Sequence, residues 1–340
     1  MTPTNTVVRG PGLEVLVERH LPDLALSDES LKTALPGMAR DAAHSARVAA
    51  AIEEVPSDHR ILQGDARDLS GLSDGSVHLV VTSPPYWTLK EYNEGKGQLG
   101  AVGDYDRFVA ELARAWGECH RVLVPGGRLV IVVGDVCLSR RRYGRHVVVP
   151  LHASIQESCR RLGFDNLAPI IWHKIANARF EMSGTGGFLG KPYEPNAVIK
   201  NDIEFILMQR KPGGYRSPSP AARALSLISA AEHREWFRQI WTIPGASTRD
   251  HPAPYPVELA TRLVRMFSFV GDTVLDPFLG TGTTSVAAAR AGRNSVGVEV
   301  DPEYLDLARR RFLDETTGLF GRARLAVEGS LGESSRGEGM

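Results

Sequence analysis

The stretch Val274-Leu275-Asp276-Pro277-Phe278-Leu279-Gly280-Thr281-Gly282-Thr283-Thr284 decides the fold. Its apolar start, Thr273–Asp276, reads as a short buried strand, and Thr283–Ala291 has helical composition. A strand that enters a helix through a glycine turn is the repeating unit of an open α/β sheet. Ligands there sit beyond the carboxyl ends of the strands, where glycine lets the backbone approach them. The next strand, Ser295–Val300, closes on Glu299, whose carboxylate can accept from both hydroxyls of a ribose. A phosphate-binding loop would need Lys before its Ser/Thr, and Thr stands there instead. A dinucleotide fingerprint lacks its third glycine.

Asp276 narrows the choice further. It would repel a pyrophosphate but favour a ligand carrying an ammonium and a sulfonium, as S-adenosylmethionine does. A structural turn without a ligand is the alternative reading of this motif alone.

Working outward, short apolar runs alternate with amphipathic ones. Arg60–Ala66, Val77–Thr82, Arg128–Gly134, Leu167–His173 and Ile203–Gln209 read as strands, as do the two already quoted. Helices are predicted over Tyr105–Leu123, Val149–Leu162, Pro256–Phe269 and Pro302–Leu313, with Pro125-Gly126-Gly127 as a stop and turn. This alternation predicts a three-layer α/β domain around a mostly parallel, seven-stranded sheet. Residues 1–59 read as a helical, Ala-rich extension, interrupted near Pro36-Gly37, that packs or dimerises. Residues 326–340 are rich in Gly, Ser and Glu and are expected to be a disordered tail.

Of the 340 residues, 40 are basic and 40 acidic, so net charge does not mark a nucleic-acid binder. The distribution does more: residues 138–216 carry thirteen Lys/Arg against six Asp/Glu, and residues 1–59 five against nine. A basic middle suits one face turned to phosphates. No apolar run is long enough to span a membrane, and no signal peptide is evident, so a cytoplasmic protein is expected. Cys119, Cys137 and Cys159 are too few and scattered for a disulfide framework or a zinc site, and no metal is expected.

At the end of Val77–Thr82 stands Ser83-Pro84-Pro85-Tyr86-Trp87. Two prolines fix the backbone and remove its amide donors, leaving carbonyls beside the Ser83 hydroxyl. That surface suits a group rich in donors, such as an aryl amine, with Tyr86 and Trp87 as aromatic faces for stacking. A rigid turn capping a strand is the plainer reading of the triplet by itself.

Together the two strand-end motifs resemble the amino-group DNA methyltransferases, with Ser-Pro-Pro-Tyr as the target motif and Asp-Pro-Phe-Leu-Gly-Thr-Gly as the cofactor motif. The target motif comes first, as in the beta group, which implies a circularly permuted sheet. The resemblance covers roughly residues 60–315. It implies S-adenosyl-L-methionine as methyl donor, held by Asp276, Pro277, Phe278, Gly280, Gly282, Thr283, Thr284 and Glu299. It adds Asp65 and Ala66 at the adenine, and His251 to Pro256 at the methionine end. Ser83, Pro84, Pro85 and Tyr86 would be catalytic, gripping the amine of a base flipped out of duplex DNA and stacked on Tyr86.

Ser at position 83 is associated in that family mainly with cytosine N4, with adenine N6 as the alternative. RNA or protein-glutamine enzymes of similar type carry Asn there and place the cofactor motif earlier. Chemistry at cytosine C5 would need a nucleophilic Cys, and none of the three follows a proline.

The implied layout is an extension (1–59), a catalytic half (60–175), a target-recognition insertion with the last sheet strand (176–250), a cofactor half (251–325) and the tail. Arg140, Arg141, Arg142, Lys174, Arg179, Lys191, Lys200 and Arg216 are the candidates for contacting double-stranded DNA. The resemblance also allows a homodimer and a place in a restriction-modification system.

Overall fold

Alternation of apolar residues along the central strands gives the sheet two buried faces. The computed structural model describes residues 12–87, 97–174, 201–245, 255–319 and 322–329. Its main sheet contains β1 (Ser57–Gln63), β2 (Val77–Thr82), β3 (Leu123–Val133), β6 (Asp165–His173), β7 (Ile203–Arg210), β8 (Ile240–Thr242), β9 (Thr273–Asp276), β10 (Asn294–Glu299) and β11 (Ala323–Glu328). The order is β11-β1-β10-β9-β2-β3-β7-β6-β8, with β7 antiparallel to its neighbours. A separate hairpin pairs β4 (Val136–Leu138) with β5 (Val147–Val149).

On one face, Val80, Leu129, Ile131 and Val133 meet Phe108, Leu112 and Trp116 of α4 (Tyr105–Val122) and Ile155 of α6 (Leu151–Arg161). On the other, Leu79, Val81, Val130 and Val132 meet Leu259 and Leu263 of α9 (Val257–Phe267) and Ala287 of α10 (Thr283–Arg290). Successive residues of one strand feed opposite layers, so the three-layer α/β architecture follows from a period of two.

The seven expected strands are present, and two more lie at the sheet edges. β8 adds to β6. β11 adds in parallel to β1, where Arg60 grips Glu328 through two bonds of 2.8 and 2.9 Å. Residues 326–328 therefore belong to the sheet rather than to a tail, because β1 offers an unpaired edge and the Arg60–Glu328 pair holds the strand against it. Pro125-Gly126-Gly127 was expected to stop the chain, but it forms an irregularity within β3. The register against β2 slips there, and Gly126, at φ 77°, donates to the Lys211 carbonyl.

The amino-terminal arm folds onto the chain's own body. In α1 (Leu13–His20), α2 (Asp28–Met38) and α3 (Ala42–Glu53), Leu16, Leu31, Met38 and Val48 pack with Ala221, Ala224 and Leu225 of α7 (Pro220–Leu225) and with Val270. The Ala/Leu-rich stretch after Pro220 forms two short helices. Ser226–Ser229 separate α7 from α8 (Ala230–Trp236), whose start is fixed by a capping box between Ser229 and Glu232. Among the described residues no helix is long and apolar enough to cross a membrane.

Candidate active site

β2 and β9 lie side by side in the sheet, although Thr82 and Asp276 are 194 residues apart in sequence. Below the cleft, the two strand ends are tied together by one buried carboxylate. Asp276 accepts from Thr82 Oγ1 (2.6 Å), Thr284 Oγ1 (2.7 Å), Tyr255 Oη (3.1 Å) and the Phe278 amide (3.1 Å). Tyr255 and Thr284 also bond to each other, and Thr284 reaches the Val81 carbonyl. Burial pushes the Asp276 pKa up to about 6, and the hydroxyl donors hold it from rising further.

Asp276 is buried and is not among the residues that line the cleft, contrary to the expectation that its charge faces the ligand. Its Oδ1 faces Thr82 and the Phe278 amide and its Oδ2 faces Tyr255 and Thr284, so it ties the ends of β2 and β9 together.

Above this clasp lies a cleft, partly open to solvent, at the carboxyl ends of β1, β2, β9 and β10. Gly64, Asp65 and Ala66, just past β1, line one wall; they leave the ladder at Gln63, three residues before the predicted strand end. Pro277, Phe278 and Gly280 after β9 and Ser83 and Pro85 after the neighbouring β2 line the cleft as well. The Phe278 ring is fixed edge-on to Trp116, with centroids 5.8 Å apart.

Glu299 lines the cleft from β10. It accepts from the Gly280 amide (2.8 Å) and the Asp301 amide (3.0 Å). Burial raises its pKa to about 7 despite these two donors, which marks a carboxylate short of partners. Gly282, at φ 80°, starts α10 in a left-handed conformation and lies against Ala308 of α11 (Pro302–Thr316). Thr283 and Thr284 are buried in its first turn, and Arg311 reaches the Thr283 hydroxyl at 3.0 Å. Pro256 is the N-cap of α9 and is not among the residues lining the cleft, while His251 lies outside the described residues.

Asp65 is taken up by Arg67, at 2.9 Å to its Nε and 2.5 Å to its Nη2. Sequence reading missed Gly97, Gln98, Leu99 and Tyr304, which complete the cleft. Tyr304 was within reach of inference: Asp301 caps α11 by accepting from the Tyr304 amide, one turn beyond Glu299. Gly97 carries no readable signal, because its need for glycine comes from the approach of Val300 and Asp65.

The two aromatic residues of the target motif are both buried. Tyr86 is 5 % exposed and does not line the cleft; its ring packs beside Gly134, where a Cβ would come within 3.4 Å of it. Trp87 is also buried, donating to the Val102 carbonyl and packing edge-on against Tyr105. Ser83 Oγ donates to Tyr86 Oη at 3.3 Å, and Tyr86 Oη donates to Glu204 Oε2 at 3.1 Å. Glu204 is paired in turn with Lys174.

The basic candidates separate by position. Arg140 and Arg141 are exposed on the short α5 (Arg140–Tyr143), which follows β3 and β4 at the cleft end of the sheet. The Arg142 side chain and Arg179, Lys191 and Lys200 lie outside the described residues. Lys174 sits at the same end but is engaged by Glu204 and lies over the Trp172 ring.

Arg216 does not belong with them. It makes a two-pronged pair with the buried Asp272, at 2.6 and 2.5 Å, at the amino-terminal end of β9 and opposite the cleft. Within the expected target-recognition insertion, α7 packs on the arm, and the Ser226 hydroxyl after it accepts from the Val270 amide. Among the described residues no group of His, Cys, Asp or Glu could hold a metal ion.

Comparison with known proteins agrees with this geometry. The N6/N4 DNA methylase family model matches residues 77–310. The type II methyltransferase M.MjaI of Methanocaldococcus jannaschii is 38% identical over 278 residues, covering 73% of this chain and 89% of its own. The Thermus thermophilus protein TTHA0409, solved in complex with S-adenosyl-L-methionine, is 53% identical with a TM-score of 0.66, covering 82% of this chain and 100% of its own. The cytosine-N4-specific PvuII DNA methyltransferase shares the fold at 17% identity and a TM-score of 0.55, over 80% of this chain and 97% of its own.

Proposed function

Since the chain belongs to the N6/N4 DNA methylase family, we propose that it transfers a methyl group from S-adenosyl-L-methionine to the N4 amine of cytosine in duplex DNA. One observation carries the reading: Ser83 and Pro85 of the target motif and Phe278 and Glu299 of the cofactor motif line a single cleft. The residues fit the donor. Glu299 is a buried carboxylate short of partners, suited to two ribose hydroxyls, and Phe278 with Pro277 offers an apolar floor for a purine.

When bound, the donor supplies an electrophilic methyl on a sulfonium. The chain's own part is to hold the amine. Ser83 Oγ donates its proton to Tyr86, so its lone pairs are left to accept an N–H, and the Pro84 carbonyl takes the second. Both bonds draw the nitrogen lone pair out of conjugation and aim it across the cleft. The gain comes from orientation and prepositioned dipoles, with no covalent enzyme intermediate. The base must leave the helix to reach this depth, and Arg140 and Arg141 stand at the cleft end to contact its phosphates. The choice of cytosine over adenine rests on Ser83 itself, a neutral hydroxyl where adenine-directed members of the family usually carry an acid.

Nucleoside analysis of DNA methylated by the purified protein tests the reading. N4-methylcytosine is the expected product. N6-methyladenine would keep the amine chemistry and overturn the choice of base, and no methylated DNA at all would overturn the reading.

A further inference from the structure

The hydroxyl chain behind Ser83 ends on a carboxylate that neither signature motif contains. We propose that Ser83, Tyr86 and Glu204 form a proton relay that carries the amine's departing proton away from the cleft, with Glu204 as its terminal acceptor. The proposal rests on the amine-methyltransferase reading above and holds for either base.

The geometry has a direction. Ser83 Oγ donates to Tyr86 Oη, and Tyr86 Oη donates to Glu204 Oε2, so both hydroxyl protons already point outward from the cleft. Gly134 makes this possible: a Cβ there would come within 3.2 Å of the Glu204 side chain and 3.4 Å of the Tyr86 ring. Glu204 stands near the start of β7, opposite Trp172 of β6, and Lys174 pairs with it there. Its side chain is 12 % exposed, which gives the proton a way to water.

The step balances. As the N–CH3 bond forms, the S–CH3 bond breaks and its electron pair stays on sulfur. The nitrogen then carries one proton too many. That N–H proton passes to Ser83 Oγ, the Ser83 proton to Tyr86 Oη, and the Tyr86 proton to the Glu204 carboxylate. Both hydroxyls end neutral, and the protonated Glu204 releases its proton to solvent. A serine in place of an acid at the target motif then needs no basicity of its own.

Two near-isosteric variants separate a relay from plain scaffolding. Glu204→Gln keeps an oxygen to accept from Tyr86 but loses the basicity. Tyr86→Phe keeps the ring but breaks the chain. A relay predicts that each lowers kcat by about 10²-fold with KM for donor and DNA and the Tm near wild type. Glu204→Asp should recover part of the loss, and the double variant should be no slower than the worse single.

Either single variant turning over near the wild-type rate, or a double-variant loss equal to the product of the singles, overturns the relay. If Glu204→Gln lowers Tm and raises both KM values together, Glu204 is scaffolding and the proposal fails. Wild-type activity on DNA is measured alongside: its absence would count against the methyltransferase reading itself, whereas an active wild type with active variants counts against the relay alone.

Discussion

On the proposed reading, Ser83 supplies a hydroxyl where a carboxylate would have brought charge, so it orients the amine and hands its proton on without basicity of its own. Ser83→Ala should lower kcat by about 10²-fold, with the donor's dissociation constant changed less than about threefold. Calorimetric titration beside single-turnover kinetics checks both. A large loss of donor affinity would reassign the residue.

Glu299 makes the second prediction at this scale. Its pKa of about 7 belongs to the ligand-free cleft, and only the ionised form accepts from two hydroxyls. Donor affinity should therefore fall as pH drops below about 7, by up to tenfold per unit, until the lower pKa of the complex is reached. Glu299→Gln should bind weakly and lose the dependence on pH centred near 7. The same shift acts on the empty fold. Between the ordinary value of 4.5 and about 7 the folded chain keeps a proton that the unfolded chain has lost, so this group's contribution to stability falls as pH rises through that window. Ser83, Pro85, Phe278 and Glu299, which line the cleft, were legible because each stands at a strand end, Ser83 and Glu299 by their own chemistry and Pro85 and Phe278 through the family motifs. The burial of Tyr86 was not, because it depends on Gly134 and Glu204, which are distant in sequence.

Among the elements, the turn from β9 into α10 has the least tolerance. Gly282 adopts φ 80°, and an added Cβ would lie 3.2 Å from Ala308 Cβ and 3.4 Å from its Cα. Gly282→Ala should destabilise the protein by about 1–3 kcal/mol, seen in urea unfolding, and weaken donor binding as the turn shifts. An unchanged midpoint would mean that the turn adjusts freely.

The strands of the sheet centre were readable from their apolar runs, since burial on both faces leaves no other composition open. The edges were not. Three-residue β8 and solvent-exposed β11 take their structure from a neighbour's open edge, and Pro125-Gly126-Gly127 carries turn chemistry but lies within a ladder. What settles these is pairing, which no local window contains.

For the molecule as a whole, the arm is part of the core. Leu31 is 1 % exposed between α2 and the α7 segment. Leu31→Ala should cost about 2–5 kcal/mol of unfolding free energy with one cooperative transition and an unchanged donor affinity. A separate early transition, followed by calorimetry, would show the arm to be an independent unit. Charge placement was the least legible property at this scale. Arg216 reads like any other basic residue of the middle region, and only the sheet's orientation reveals that it clamps the end remote from the cleft.

The clasp at Asp276 has a consequence for synthesis. Its partners Thr82, Tyr255 and Thr284 come from both extremes of the domain, so a ribosome that has finished the amine-gripping segment has made nothing able to react. Competence arrives in one step, when the last third emerges and slots its short strand beside one completed about two hundred residues earlier. Truncated products would be inert rather than indiscriminate. That is a safeguard for an enzyme whose errors would be written into a genome.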